Sequence, residues 1–306
     1  MAFTAKDVST LRAKTGIGMM ECKKALSEAN GDMDEAIKIL REKGLKVAEK
    51  KADRIAADGI VDILVEGNKA VMIEVNSETD FVAKNANFQS FVKGLLKTII
   101  ENKPADVEAL MACKFTGTDD TVEATLKNKI FEIGEKLTIR RFVEVEGILN
   151  SYIHMGGTIG VIVKADADND SDEVKAVLKN VALQIAAMNP KYLDKDSVPA
   201  SVLEEEKNIL LVQINNDEAN AKKPENIKEK MVLGKIGKFY DTNCLLEQEY
   251  VKDDSKKVKA YVADEAKALG INLAINSFYR FEKGEGIEKR SDDLAAEVAK
   301  LTGGAN

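Results

Sequence analysis

The side chains that most often do chemistry are sparse and scattered in this sequence of 306 residues. There is one histidine, His154, and the three cysteines, Cys22, Cys113 and Cys244, lie far apart. This spacing excludes a C-x-x-C zinc pattern and indicates a reducing compartment rather than a disulfide framework. The sequence also lacks phosphate-binding loops, dinucleotide fingerprints and nucleophile elbows. We therefore predict no catalytic residues, no metal site and no cofactor.

Acidic side chains are plentiful, but none forms a local pair with the spacing that acid–base catalysis uses. His154 lies in an Ile-His-Met-Gly-Gly stretch typical of a turn, where a lone histidine is more often structural or solvated than catalytic. The acidic run 166–172 resembles part of a calcium loop but lacks its glycine and its glutamate. The sequence favours a protein that acts through contacts, and an enzyme using scattered acids is the weakest alternative.

The charge distribution limits the classes of partner. Charged residues make up 32% of the chain and the net charge is −7, whereas residues 1–54 carry twelve Lys and Arg against nine Asp and Glu. A broad nucleic-acid surface needs a stronger basic surplus, so we expect no direct nucleic-acid binding. The N-terminus has no apolar signal core, and the longest uncharged run, 147–163, is too short and polar to span a bilayer. We expect a cytoplasmic protein without a membrane partner.

One stretch, residues 77–85, joins an alternating apolar run to a strongly helical one. Such a junction between a strand and a helix can present a side chain without a long mobile loop. Here that side chain is Phe81, which lies between an acid and a base. A second interpretation stays open, in which a helix capped by Thr79 or Asp80 places Phe81 and Phe88 together on one core face.

Three short amphipathic helices are predicted within residues 4–44, the third ending before Gly44, and a helical linker follows over 45–57. Met20 and Lys23 fall outside the apolar stripe of the second helix, so both are candidates for a partner contact. Met19 belongs either to this contact or to the small core of the bundle.

An internal repeat organises the middle of the chain. Residues 59–75 align with 147–163 at a constant offset of 88, and each copy predicts an antiparallel β-hairpin. A helix follows each hairpin, over 87–100 and 172–188. The stretch 79–85 has no counterpart in the second copy, which indicates that the fold itself does not require it.

These patterns predict an α+β fold: a three-helix bundle, a duplicated α+β core with antiparallel hairpins, an inserted antiparallel helical hairpin, and a C-terminal helix that docks on this chain or on another protein. The insert has polar faces, so we expect it to protrude and to serve self-association, including a 2:2 assembly, or a partner contact. The predicted domains are 1–54 (bundle with its linker), 55–145 (first core subdomain), 146–197 with 241–288 (second core subdomain), 198–240 (helical hairpin) and 289–306 (C-terminal helix module).

Six segments in order along the chain carry a family resemblance. They are Thr15-Gly16-Ile17-Gly18-Met19-Met20-Glu21-Cys22-Lys23-Lys24-Ala25-Leu26, the run 49–59, Thr79-Asp80-Phe81-Val82-Ala83-Lys84-Asn85, Tyr152-Ile153-His154-Met155-Gly156-Gly157, Glu229-Lys230-Met231-Val232 and the run 280–289. In these segments the chain resembles the elongation factor Ts family, the guanine-nucleotide exchange factors of elongation factor Tu. The resemblance covers nearly the whole chain.

The resemblance implies a ubiquitin-associated-like N-terminal bundle and a factor that binds elongation factor Tu, both GDP-bound and nucleotide-free. Such a factor promotes GDP release so that GTP can bind, without covalent chemistry. The resemblance also implies that the segment Thr79, Asp80, Phe81 and Val82 dislocates the Mg²⁺ bound with GDP. In that family the phenylalanine wedges into the GTPase domain and loosens its phosphate-loop contacts. Further implied partner contacts are Met19, Met20, Lys23, His154, Met231, Val232, Leu294 and Val298.

The chain departs from the family pattern at two positions. Thr158 stands where many relatives carry Arg, which puts a polar contact near His154 in doubt. Glu249 stands where many carry Pro, and we expect a looser start of the strand at Tyr250. A different class of function also stays open, a non-exchanging adaptor that uses the N-terminal helical bundle as its recognition module.

Overall fold

A computed structural model describes residues 3–288 of the chain. They form helices and antiparallel sheets, so the predicted α+β class is confirmed. The helices are α1 (Ala5–Thr15), α2 (Met19–Glu28), α3 (Met33–Lys51), α4 (Asp80–Ala83), α5 (Ala86–Asn102), α6 (Val107–Ala112), α7 (Val122–Ile133), α8 (Asp172–Met188), α9 (Ala200–Asn216), α10 (Glu225–Asn243) and α11 (Val258–Leu269). The strands are β1 (Asp58–Glu66), β2 (Lys69–Ser77), β3 (Thr138–Glu146), β4 (Ile148–His154), β5 (Ile159–Ala167), β6 (Glu249–Tyr250), β7 (Asp253–Lys257) and β8 (Leu273–Glu282).

The first three helices pack around a small core of their own, which includes Leu11, Cys22 and Leu26. Helix α1 begins at a capping box in which Thr4 and Asp7 each accept a hydrogen bond from the other's backbone N–H. It ends at Gly16, whose left-handed backbone (φ 71°) suits a residue without a side chain.

The prediction that the third helix ends before Gly44 is wrong. Helix α3 continues to Lys51 and takes in the first half of the predicted linker. Gly44 is buried, and the point where a Cβ would lie is 3.6 Å from the Phe131 side chain of α7. Because α3 packs along α7, tertiary contacts offset the weak helix propensity of glycine.

Two three-stranded antiparallel sheets form the core, with strand orders β1-β2-β3 and β4-β5-β8. Helix α5 covers one face of the first sheet, and α8 covers one face of the second. The opposite faces meet in a shared apolar layer that includes Val61, Met72 and Ile162. Strand β2 is therefore enclosed on both sides, and every residue from Ala70 to Ser77 is buried.

Residues 107–146 supply α6, α7 and β3, which the sequence patterns did not predict. Strand β3 pairs with β2 and completes the first sheet. Its alternation is interrupted by the adjacent pair Arg140 and Arg141, so the strand does not stand out in the sequence.

Helices α9 and α10 pack against each other around Leu210, Ile214, Val232 and Ile236. Beyond them, β6 has only two residues, and its register against β7 shifts between Glu249 and Tyr250, so nothing contradicts the looser strand start expected there. Tyr250 is buried, and its ring stacks on that of Tyr261 with centroids 4.2 Å apart.

A buried carboxylate on β2, that of Glu74, joins the two core subdomains. It accepts hydrogen bonds from Arg140 Nη1 (2.9 Å) and Arg141 Nε (2.7 Å) on the neighbouring β3. It also accepts one from the backbone N–H of Gly284 (2.8 Å), which follows β8 of the other sheet. The Arg141 guanidinium lies over the Phe281 ring at 4.2 Å from its centroid. The end of the second sheet is thereby fixed to the first.

The surroundings of Glu74 favour its ionised form. Burial by itself raises the pKa of this carboxyl, but the hydrogen bonds from the Gly284 N–H, two arginines and Asn76 outweigh it and hold the pKa below its ordinary value. A group whose pKa is lower in the folded state stabilises the fold above its unfolded pKa. That contribution is lost as the pH falls through the native pKa.

We predict that Glu74→Gln lowers the free energy of unfolding by about 3 kcal/mol, because two arginines then lose their shared counter-charge. Urea unfolding followed by circular dichroism measures this change. Glu146→Gln is the matched control on β3: Glu146 is exposed and lies 4.0 Å from Lys69, so its loss should cost less than about 1 kcal/mol. Equal effects of the two substitutions would contradict the assigned role of Glu74.

The pH dependence gives a second prediction. The stability difference between the wild-type chain and Glu74→Gln should be full near neutral pH and should shrink as the medium is acidified, since protonation removes the charge that the substitution removes. Urea unfolding of both proteins at pH values from about 7 to about 2.5 measures this, because the loss begins near the ordinary pKa of a glutamate and continues below it. A difference that stays constant over this range would show that the charge of Glu74 is not what stabilises the junction.

Candidate functional site

Phe81 is 80% exposed and lies on the single turn of α4, directly after β2. The next residue, Val82, is buried in the first core together with Phe88. The phenyl ring of Phe81 is therefore outside the core, and of the two interpretations open at the sequence level the exposed one is confirmed.

The break between α4 and α5 is what separates Phe81 from Phe88. The side chain of Asn85 caps α5 by accepting from the N–H groups of Asn87 and Phe88, so this helix begins at Ala86 and not at Thr79. A continuous helix would have placed the two rings on one face.

Thr79 does not cap a helix with its side chain, contrary to one expectation from the sequence. Its hydroxyl donates to Glu135 Oε1 (2.7 Å) and its backbone N–H to Glu135 Oε2 (3.0 Å). One residue earlier, the Glu78 carboxylate accepts from the Lys136 N–H (2.6 Å) and from Arg54 Nη1 (3.2 Å). The segment that follows α7 thus holds the base of the Phe81 turn at two consecutive residues.

Asp80 and Lys84 form an ion pair across the turn, with Lys84 Nζ 2.7 Å from Asp80 Oδ2. The hydrogen bond from Lys84 lowers the pKa of the Asp80 carboxyl, so this group is ionised at neutral pH. Phe81 is presented beside a carboxylate and an ammonium that both reach solvent. Because the pair is exposed, it adds little to stability.

The second candidate surface is the first turn of α2. Met19 and Met20 are 51% and 66% exposed, and Lys23 is exposed as well. Met19 is therefore not part of the bundle core, which takes Cys22 and Leu26 from this helix.

Helix α7 contacts both candidate surfaces. Glu132 accepts from Asn87 Nδ2 (3.1 Å) at the start of α5. The same carboxylate lies against the turn before α2, where a Cβ on Gly16 would come within 2.6 Å of Glu132 Oε1. Glu135, just after α7, therefore supports the Phe81 turn, and Glu132 at the end of α7 lies beside the turn that precedes Met19.

His154 lies at the end of β4 and is half-buried, with its Nδ1 2.9 Å from Tyr152 Oη. The residue that the following turn presents is Met155, which is 75% exposed and has a left-handed backbone (φ 46°). The turn is held to the first sheet by a hydrogen bond from the Val61 N–H to the Gly157 carbonyl (2.8 Å). Thr158 donates from Oγ1 to the Met155 carbonyl (3.2 Å), so it serves the turn itself.

The remaining predicted contacts differ in accessibility. Val232 is buried inside the helical hairpin, and Met231 packs partly against the same core. The exposed apolar side chain beside them is that of Leu233, which the sequence analysis did not single out. Leu294 and Val298 lie outside the described residues, as does the whole predicted C-terminal module.

No sequence pattern indicated the residues that support the site. Glu132 and Glu135 flank Gly134, which ends α7 after an apolar stripe of Val122, Leu126 and Ile130. That pattern could have located the end of the helix. The partner of Glu135 could not have been inferred, because Thr79 is 56 residues away.

Within residues 3–288, no three His, Cys, Asp or Glu side chains are arranged to hold a metal ion. Across the same residues, no helix combines the length and apolar character needed to cross a membrane.

The described residues define an α+β protein whose candidate site is a set of exposed apolar side chains on well-supported turns, an arrangement typical of proteins that bind other proteins. Two comparisons with known proteins point to the same family. The family profile described as Elongation factor TS matches residues 78–285. An Elongation factor Ts of Syntrophotalea carbinolica is 50% identical over 306 residues, covering 99% of this chain and 100% of the relative. Others, of Nitratiruptor sp. and Clostridium kluyveri, are 49% and 48% identical and cover 98% and 97% of this chain, and 99% and 98% of their own lengths.

The chain belongs to the elongation factor Ts family. It is accordingly a factor of translation elongation in protein biosynthesis.

We predict that Glu135→Ala loosens the Phe81 turn without unfolding the protein. The Thr79 amide loses its acceptor, so its hydrogen exchange should accelerate, and the free energy of unfolding should fall by about 1–2 kcal/mol. Hydrogen exchange resolved by NMR measures this. Glu123→Ala, near the start of α7, is the control, because Glu123 forms an exposed pair with Lys127 and does not contact Thr79. Unchanged exchange at Thr79 in Glu135→Ala would refute the support that we assign to this carboxylate.

Proposed function

We propose that this chain binds elongation factor Tu, GDP-bound and nucleotide-free, and promotes GDP release so that GTP can bind. The observation that carries this proposal is the 80% exposure of Phe81 on a turn whose base is held at two consecutive residues. An aromatic ring that a protein leaves exposed on a rigid turn is suited to insertion into a partner, since little conformational freedom is lost on binding. Family membership supports the identity of that partner.

In this proposal Phe81 wedges into the GTPase domain of the partner, and the segment from Thr79 to Val82 displaces the Mg²⁺ bound with GDP. The ionised carboxylate of Asp80 is the polar companion of the wedge. Displacement of the phosphate-loop contacts then weakens the binding of GDP to the partner. No covalent chemistry by this chain is involved.

The driving force is thermodynamic linkage. A factor that binds the nucleotide-free partner more tightly than the GDP-bound partner must lower the affinity of the partner for GDP by the same ratio. Burial of one phenylalanine side chain that is exposed in the free protein is worth about 2–3 kcal/mol. If this contact forms only in the exchange complex, it accounts for about 30- to 150-fold in relative affinity.

Several further contacts belong to the same proposal. The exposed Met19, Met20 and Lys23 of a ubiquitin-associated-like bundle would meet the GTPase domain, as would Leu294 and Val298 of the C-terminal module. The turn at His154 would meet another domain of the partner. Val232 would contribute only if the helical hairpin opens, because it lies inside it, whereas Met231 is only partly covered.

The proposal keeps the domain division 1–54, 55–145, 146–197 with 241–288, 198–240 and 289–306. It places the activity in the cytoplasm, without direct binding of nucleic acid. A 2:2 assembly through the helical hairpin is one arrangement of the complex. Sedimentation of the complex would separate it from a 1:1 assembly.

The decisive prediction concerns Phe81→Ala. Catalytic amounts of the wild-type chain should accelerate release of a fluorescent GDP analogue from elongation factor Tu, and the substitution should lower this acceleration at least about 30-fold. Its stability should stay within about 0.5 kcal/mol of wild type, because the ring is exposed. Tyr279→Ala, which removes another exposed aromatic ring, is the control and should leave the acceleration intact.

Two outcomes would overturn the proposal. Wild-type protein that leaves the release rate unchanged would exclude exchange, and binding without acceleration would favour the adaptor function instead. A Phe81→Ala variant that is fully active would exclude the wedge while leaving exchange itself standing.

A further inference from the structure

Four methionine side chains among the described residues are strongly exposed: those of Met19 (51%), Met20 (66%), Met155 (75%) and Met188 (47%). Three of the four lie in the two segments proposed above as partner contacts, the first turn of α2 and the turn after β4. By contrast, Met72 is fully buried between the two sheets. A thioether is soft and apolar, which suits a contact surface, but an exposed thioether is also open to oxidation.

The local structure keeps these sulfurs in solvent. Helix α2 begins after Gly18, which offers no side chain to cover its first turn. Met20 lies off the buried face that Cys22 and Leu26 form, and Met19, in line with that face, is half exposed because it is the first residue of the helix. The turn that carries Met155 is fixed to the neighbouring strands by two backbone hydrogen bonds, Val61 N–H to Gly157 O (2.8 Å) and Lys283 N–H to Thr158 O (2.9 Å).

We propose that Met19, Met20 and Met155 are oxidation sites of the free protein, and that their conversion to methionine sulfoxide weakens its binding to the partner. This rests on the proposed function, because it takes these residues as partner contacts. With hydrogen peroxide as oxidant, the thioether sulfur takes one oxygen atom and loses two electrons, and the peroxide is reduced to water.

The physical cause is desolvation. A sulfoxide oxygen is a strong hydrogen-bond acceptor, and an apolar contact that fits a thioether offers it no donor. Burying even one such group unsatisfied weakens binding at least about tenfold. Exchange depends on that binding, so the acceleration of GDP release should fall by a similar factor.

The first measurement is a footprint by mass spectrometry. Hydrogen peroxide should oxidise Met19, Met20, Met155 and Met188 of the free protein and should spare Met72. In the complex with elongation factor Tu, oxidation of the first three should slow at least about fivefold, whereas Met188, which is as exposed as Met19, should be unaffected. Equal protection of Met188, or none at Met19, Met20 and Met155, would overturn the inference.

The second measurement is functional. The protein alone is treated with peroxide, the peroxide is removed with catalase, and GDP release from untreated elongation factor Tu is followed. Each variant is compared with its own untreated sample. Wild type and Met188→Leu should lose activity at least about tenfold and regain it with methionine sulfoxide reductase, whereas the combined variant Met19→Leu, Met20→Leu, Met155→Leu should lose little. Circular dichroism before and after treatment checks that the fold is retained.

The outcomes separate the two proposals. An untreated protein that fails to accelerate release refutes the proposed function, and this inference falls with it. An untreated protein that is active, but whose oxidised form is equally active, refutes only the oxidation sites. Equal loss in the combined leucine variant would do the same.

Discussion

The buried carboxylate of Glu74 is the interaction on which the arrangement of the core depends. It lies in the middle strand of the first sheet and accepts hydrogen bonds from two arginines of β3. It also accepts one from the Gly284 N–H, which follows β8 in the second sheet. A buried charge is tolerated only when its partners are close and its hydrogen bonds are satisfied, so the position of each partner is constrained by the others. If the two sheets slid past each other, this buried carboxylate would lose the Gly284 N–H that it accepts from the second sheet. Gly284 adds to this constraint, since a Cβ there would lie 2.1 Å from the Ala57 carbonyl.

Rigidity at this point extends along β2 to the candidate site. Asn76 donates to Glu74 and to the Asp58 carbonyl, and the Ser77 hydroxyl donates to the Thr79 carbonyl. Two residues later the exposed ring of Phe81 appears. A side chain that follows a fully buried strand so closely has a defined position even though solvent surrounds it. For a contact residue this matters, because the entropy lost on binding is then small.

The sequence was informative where the physical signal is local. Alternation located the hairpins β1–β2 and β4–β5, and apolar stripes located the helices of the bundle and of the insert. Prediction from the sequence failed where tertiary contacts determine the local structure. Gly44 is typical of a helix end, but packing against α7 keeps it within α3. Strand β3 does not show in the sequence because Arg140 and Arg141 interrupt its alternation, and the carboxylate that they bind, Glu74, is more than sixty residues away.

The same distinction explains the candidate site. Periodicity could not place Phe81, since a seven-residue spacing to Phe88 fits both one continuous helix and two helices with a break. The cap at Asn85 produces the break. The exposed position of Met20 followed from the stripe alone, because its neighbours Cys22 and Leu26 already fill the buried face. The bond from Thr79 to Glu135 could not have been foreseen, because a single sequence does not carry long-range pairings.

The two core subdomains show what the fold itself requires after its second strand. In the second subdomain, the stretch after β5 closes back on the sheet: the Asp168 carboxylate accepts from the backbone N–H (2.8 Å) and the side-chain amide of Asn272, just before β8. The helix that follows is 17 residues long, as is its counterpart α5. A polar turn is thus sufficient to connect strand to helix in this architecture. The extra helical turn in the first subdomain has no counterpart there. Its Val82 packs in the first core, but the exposed ring of Phe81 adds nothing to either core, which is the physical reason behind the proposal that Phe81 contacts a partner.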